Sequence, residues 1–257
     1  MPESLEVANV PSKKFRDVNF SITWNNEYSE ADKAEIKVLN QEGTEIISVG
    51  IVPNARALPL VKNIKFDGDF ADWPSSAKLP EWSIGKIGTP KNIELYLAYS
   101  QEGLYVGAKI DPSVASGSNP KVFWSMDCLE VCIDTKNDKQ KRDKYSETDH
   151  QFWIVPMVKE NKVYVGRWKR NDEIPKTKYD MQGIKSFSKK IKNGYTMEVL
   201  IPADKIKGFK PSKGNKIGLA INLTAPGRKE TITCYWPLPK TEGVIEKPYI
   251  WAVAEMK

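Results

Sequence analysis

The stretch IELYLAY (residues 93–99) is followed, after Glu102-Gly103, by LYVGAKI (residues 104–110). Both runs are short, rich in β-branched and aromatic residues, and bounded by turn formers, the pattern of strands. IELYLAY is apolar on both alternating faces, which predicts a strand held between layers. The same pattern recurs at residues 129–134 (LEVCID), 151–155 (QFWIV), 163–168 (VYVGRW), 184–191, 195–201, 217–223, 231–236 and 249–254. Asn193-Gly194 separates two of these runs and predicts a type I′ hairpin, since both residues tolerate positive φ. One helical turn is expected at Ala203-Asp204-Lys205-Ile206, entered after Pro202. Roughly ten strands with almost no helix predict an all-β fold, an antiparallel β-sandwich.

Working outward, residues 15–24 and 34–49 give about three more strands, with a turn at Gln41-Glu42-Gly43. Three strands are few for an independent sandwich. Residues 1–60 are therefore read as a small N-terminal β segment, either the trailing part of an immunoglobulin-like domain or a piece packed on the main body. PNARALP (residues 53–59) reads as the linker, with the boundary near residue 61 and the main domain over residues 61–257.

Composition narrows the function. The 257 residues are 40% hydrophobic and 28% charged, which excludes wholesale disorder. The net charge of +6 comes from basic residues scattered at Lys13-Lys14, Lys139 to Arg142, Lys189-Lys190 and Lys205 to Lys216, with acids among them. A nucleic-acid binder would concentrate its charge in one stripe, so no nucleic-acid partner is expected. The most apolar stretch, residues 46–61, is cut by Gly50, Pro53, Asn54, Arg56 and Pro59, so no membrane span is expected. The first ten residues, MPESLEVANV, lack a basic start and an apolar core, and no signal peptide is read there.

Three cysteines and one histidine supply no structural zinc site, because Cys128, Cys132, Cys234 and His150 contain no CxxC. On one strand, Cys128 and Cys132 would stand roughly 13 Å apart, beyond disulfide reach. Either could pair with Cys234 only across neighbouring strands; the simpler expectation is buried free thiols. A Ser-His-Asp or Cys-His hydrolase would depend on His150, and no GxSxG surrounds a serine.

Four further stretches carry chemistry. FDGDFADWP (residues 66–74) clusters carboxylates around a glycine turn, either hard oxygen ligands for Ca²⁺ or a polar turn before a buried tryptophan. WSMDCLEVCIDT (residues 124–135) and HQFW (residues 150–153) follow, with Tyr249-Ile250-Trp251 near the end. In this order, with Asp111-Pro112, the Asn193-Gly194-Tyr195-Thr196-Met197-Glu198 hairpin and IGLAIN (residues 217–222), the chain resembles the family 9 carbohydrate-binding module. That module sits within the DOMON-like β-sandwich group, and the resemblance covers about residues 65–257.

The resemblance implies a non-catalytic module that binds an oligo- or polysaccharide. It makes Trp124 one wall of an aromatic clamp, Glu130 an acceptor for sugar hydroxyls, and Gln151 a polar contact. Trp153 stands where characterised modules place an arginine. The second clamp tryptophan is missing from residues 242–248, leaving Tyr249 and Trp251 as the nearest aromatics; Trp153 and Tyr249 complete the candidate set. The physical reading agrees, since sugars offer C–H faces to aromatic rings and hydroxyls to acceptors and donors. The family's calcium sites imply Asp67, Asp69, Asp111 and Asp127 as ligands. The resemblance also implies an extracellular, cell-surface or periplasmic setting, within a longer polypeptide that carries partner domains.

Three rivals stand beside this reading. Glu130 with Asp127 or Asp134 could form a glycosidase-like acid/base pair. Some DOMON-like domains bind haem through Met with His or Lys, which would use Met126 or Met157 with His150; a lone His in a polar run is more often a surface residue, and haem is not expected. A structural or docking module with a decayed sugar site is the third.

Overall fold

Alternating apolar side chains turn one face of each strand inward, and two sheets close over them. The computed structural model describes residues 34–39, 42, 45–51, 55–79, 83–84, 93–111, 126–142, 144–168, 184–226, 231–236 and 244–257. A hairpin of β1 (Ala34–Leu39) and β2 (Glu45–Ile51) forms its own two-stranded antiparallel sheet. The strands that follow are β3 (Ala55–Leu58), β4 (Ser83–Ile84), β5 (Ile93–Ser100), β6 (Gly103–Ile110), β7 (Cys128–Asp134), β8 (Asp149–Met157) and β9 (Lys162–Trp168). Then come β10 (Lys185–Ile191), β11 (Gly194–Pro202), β12 (Lys216–Pro226), β13 (Thr231–Trp236) and β14 (Ala252–Met256).

The smaller sheet runs β10-β11-β6-β5 and is antiparallel throughout. The larger runs β3-β14-β12-β7-β8-β9, with β13 and β4 extending it beside β12. Leu97, Val106 and Val199 from the smaller sheet meet Leu129, Val131, Phe152, Leu219 and Ile221 from the larger in one continuous core. Where the sheet edges approach, Ser188 Oγ donates to the Lys162 carbonyl (2.7 Å), and Ser186 Oγ bonds both the N–H and the carbonyl of Val163. These serines satisfy backbone groups that edge strands otherwise leave open.

The expected linker is a structural element. Ala55–Leu58 pairs in parallel with β14, from Val253↔Ala55 to Met256↔Leu58. The chain then crosses to the other sheet: Val61 N donates to the Tyr99 carbonyl (2.8 Å) and Tyr99 N to the Pro59 carbonyl (3.0 Å). PNARALP was read as a linker because its prolines break the alternation, yet each proline falls outside the four residues that pair. The final strand also starts later than expected. Tyr249 lies in a 3-10 turn, Pro248–Ile250, and pairing begins at Ala252.

The Asn193-Gly194 hairpin forms, but not as a type I′ turn. The loop is Lys192-Asn193, closed by the Ile191↔Gly194 pair, and neither Asn193 nor Gly194 adopts positive φ. Gly194 is required for a different reason: a Cβ there would lie 1.8 Å from the Ile110 carbonyl oxygen on the adjacent strand. The expected helical turn is present as a 3-10 turn, Ala203–Lys205.

The FDGDFADWP segment seals the outward face of the smaller sheet. Glu198, fully buried on β11, accepts from the backbone N–H of Gly68 (2.5 Å) and Asp67 (3.0 Å) and from the Trp73 indole Nε1 (2.8 Å). Gly68 turns at φ +75°, where a side chain would be strained and would meet Thr196 Oγ1 at 2.6 Å. Phe70 then stacks on Tyr96 (4.2 Å between centroids, 3° between planes), and Trp73 packs against Tyr96 and Tyr105.

Burial pushes the Glu198 carboxyl above its usual range, partly offset by the bonds from Trp73, Gly68 and Asp67. The folded state therefore holds this proton more tightly than the unfolded chain. The stabilisation is full below the unfolded value and is lost as pH rises through the folded one. Urea melts from pH 4 to 7 should show wild type losing stability relative to Glu198→Gln as pH rises. At pH 7, Glu198→Ala should cost on the order of 3 kcal/mol, because it strands buried donors.

Candidate binding face on the larger sheet

Strand alternation builds a polar row on the outward face of the larger sheet. On β7, Leu129, Val131 and Ile133 enter the core, so Cys128, Glu130 and Cys132 point away from it. On β8, Phe152 and Ile154 point inward, leaving Gln151, Trp153 and Val155 outward; on β12 the outward residues are Ala220, Asn222 and Thr224. The register sets Glu130 opposite Asn222 on one side and Trp153 on the other, while Gln151 is opposite Cys132 and diagonal to Glu130.

Glu130 is 5% exposed, and both of its oxygens are engaged. Oε1 accepts from Asn222 Nδ2 (2.8 Å), and Oε2 accepts from Gln151 Nε2. A carboxylate can only accept, so both amides must turn their NH₂ groups toward it and their carbonyl oxygens away. Asn222 Oδ1 is buried and has no hydrogen-bond partner among the described residues. Gln151 Oε1 lies 3.4 Å from the Tyr145 hydroxyl, which donates to the Ile245 carbonyl.

Apolar clusters flank the row. On one side are Cys132, Tyr145, Ala220 and Trp251, with Ile245 and Ile250 packed against them. On the other are Cys128, Trp153 and Val155, with Met157 and Tyr164. Burial, with the Glu130 charge adding to it, holds the Cys128 thiol well above its ordinary pKa. Cys128 and Cys132 are not in disulfides, and Cys234 on β13 is separated from β7 by β12.

The candidate residues thus divide. Glu130 and Gln151 are in contact. Tyr249 is half-buried in the turn beside Trp251, next to the first apolar cluster. Trp153 departs from its expected role: at 0% exposure inside an apolar cluster it offers no open ring face. Trp124 lies outside the described residues. Asn222 was missed, although with Thr224 it is one of two polar residues on the outward face of a largely apolar strand. Tyr145, in a polar loop, left no sequence signal.

The four aspartates do not gather into one coordination sphere. Asp67 and Asp69 are exposed, and each carboxylate accepts from a backbone N–H in its own turn, those of Asp69 (2.9 Å) and Ala71 (3.1 Å). Asp127 is buried beside Tyr195, whose phenol is pushed well above its ordinary pKa by burial and then by the Asp127 charge. Asp111 is half-buried just after β6. Among the described residues no three His, Cys, Asp or Glu side chains converge.

Two of the rival pairings also separate in space. Asp134 is four residues from Glu130 along β7, roughly 13 Å by strand rise, wider than glycosidase spacing. His150 stacks on Phe152 (5.8 Å), and its Nε2 contacts the Lys207 carbonyl (3.0 Å). His150 shares the inward face of β8 with Phe152, whereas Met157 packs in the outward cluster, so these two cannot ligate one iron. Among the described residues no helix is long and apolar enough to cross a membrane.

The family model described as carbohydrate family 9 binding domain-like matches residues 82–239, more than half of the chain and every strand from β4 to β13. The chain belongs to this family. Two solved structures of a family 9 module from Caldicellulosiruptor kristjanssonii share its fold. One, in complex with cellotriose, has TM-score 0.57 and 17% identity, covering 79% of this chain and 93% of that one. The other, in complex with glucose, has TM-score 0.56 and 17% identity, covering 79% and 95%. Among curated proteins none matches.

The burial of Trp153 in this family 9 module makes a direct prediction. Trp153→Ala should cost about 3–5 kcal/mol in a urea melt, as for a core aromatic. A loss within about 0.5 kcal/mol, as at an open surface position, would restore it as a ligand platform.

Proposed function

We propose that this family 9 module is a non-catalytic carbohydrate-binding module whose sugar docks on the outward face of the larger sheet, over Gln151, Glu130 and Asn222. The observation that carries the reading is the orientation of the two amides around one buried carboxylate. Glu130 accepts one N–H from each amide, so their carbonyl oxygens face away from it, and Asn222 Oδ1 is left as a buried acceptor. A buried acceptor needs a donor, and a sugar ring supplies hydroxyl donors beside apolar C–H faces. Trp124, four residues before β7, serves as the stacking wall, and Tyr249 borders the opposite flank.

The relatives seen with cellotriose and glucose support a glucose-type chain end as the first ligand to try. This reading puts the module outside the cytoplasm, where polysaccharide is met, as one part of a larger surface or secreted polypeptide.

Tryptophan fluorescence and calorimetric titration with cellotriose and glucose test it. Wild type should give a saturable response. Asn222→Ala should weaken binding by about tenfold, the effect of one lost buried hydrogen bond, and Trp124→Ala should abolish the response. A folded protein that ignores a wide panel of soluble oligosaccharides would instead be a docking module, and protein partners would be sought.

A further inference from the structure

We propose that the loop joining β7 to β8 carries a cation site, in which Asp134, Asp149 and Asn137 hold a hard divalent ion of the calcium class. The site involves none of the four aspartates Asp67, Asp69, Asp111 and Asp127, and it does not depend on the sugar site. Asp134 closes β7 and Asp149 opens β8, directly opposite each other in the register. Paired residues of this kind share a face, with Cβ atoms about 5 Å apart. Both side chains are buried, at 1% and 0% exposure.

The donors of the loop leave this pair incompletely satisfied. Asp134 accepts the backbone N–H groups of Lys136 (3.0 Å) and Asp138 (3.1 Å), one on each oxygen. Asp149 Oδ2 accepts from the Ser146 N–H (2.6 Å), with Arg142 Nη1 standing 3.7 Å away. Arg142 Nη2 is given to Asp138 and Gln140, and the Lys139 ammonium to the Trp251 carbonyl. Asp149 Oδ1 is buried with no hydrogen-bond partner among the described residues, and so is Asn137 Oδ1. Asn137 sits at φ 49° in the turn that wraps Asp134, and its N–H donates to the Asp134 carbonyl (3.2 Å). Asp134, Asp138 and Asp149 outnumber Lys139 and Arg142 here, and burial followed by the Asp149 charge pushes the Asp134 carboxyl above its usual range. Orphaned oxygens and crowded like charges call for the same partner, a positive ion that takes oxygen ligands. Calcium accepts carboxylates, amide oxygens and water in one flexible shell. Two carboxylates and an amide make this set, in keeping with the absence of three converging acidic or imidazole side chains among the described residues. Lys136, Gln140 and Lys141 are exposed, so solvent reaches the rim of the loop and supplies the remaining ligands.

Thermal melts and terbium luminescence on the whole chain test this, with EDTA-treated protein as the reference. Calcium at a hundredfold excess over its dissociation constant should raise the melting temperature by roughly 5–10 °C. Terbium, a luminescent stand-in, should bind and be displaced by calcium. Asp149→Asn and Asp134→Asn should each weaken calcium binding by at least about tenfold, whereas changing Asp67 and Asp69 together to Asn should leave it within about twofold. No response to either ion up to about 10 mM, beyond the range of extracellular calcium modules, overturns the site and leaves Asp134 and Asp149 sharing a proton. Calcium binding that survives Asp149→Asn, or that is lost with Asp67 and Asp69 instead, also overturns it. Should neither buried aspartate variant fold, Asn137→Ala must weaken calcium by more than about threefold; an unchanged affinity there overturns the proposal.

Discussion

A buried carboxylate stands on the outward face of each sheet, and the way each is satisfied determines what its face can do. Glu198 receives two backbone N–H groups and an indole N–H, all from the segment that turns at Gly68. An ionised group at full burial is tolerable only with such partners, so the segment is drawn onto β11 and held. The aromatic rings that follow complete the seal over the smaller sheet, and that surface becomes interior. Glu130, on the larger sheet, receives side-chain amides. Amides carry an acceptor as well as a donor, so the charge is satisfied while hydrogen-bonding capacity is passed outward. One carboxylate closes a face and the other organises one.

This contrast accounts for the placement of the candidate site. Backbone donors at Glu198 leave no unused function, and Trp73 occupies the surface a ligand would need. The row on β8, β7 and β12 lies between two apolar clusters, a polar strip with hydrophobic shoulders. A sugar ring has the matching character, with hydroxyls at its rim and C–H groups on its faces.

Much of this was legible from residues alone, and the failures share a cause. Strands such as β5, β6 and β11 declared themselves because alternation along one chain is a local property. Glu130 and Gln151 were found through motif order. The roles of Gly194, the FDGDFADWP turn and PNARALP depend on a partner far away in sequence: a carbonyl at Ile110, a carboxylate at Glu198, an open edge at β14. Local chemistry offered a type I′ turn for the first and a linker for the last, and for FDGDFADWP it left a calcium loop beside the polar turn before a buried tryptophan that is observed. Trp153 was misread for the same reason. Its neighbours Gln151 and Glu130 are polar, but Cys128 and Val155, which enclose it, are brought together only by the fold.

The parallel pairing of β3 with β14 also has a mechanical meaning. Strand β3 lies near the start of the sandwich and β14 near its end, and they run in the same direction. Tension between whatever precedes Ala55 and whatever follows Met256 pulls the two strands along their lengths in opposite senses. The hydrogen bonds of that ladder are slanted across the gap and evenly spaced, so they share the load in shear instead of opening one after another like a zipper. Forced unfolding is governed by the rate of crossing the unfolding barrier, not by equilibrium stability. The first and last strands of the sandwich thus form a clasp that meets such a pull in shear.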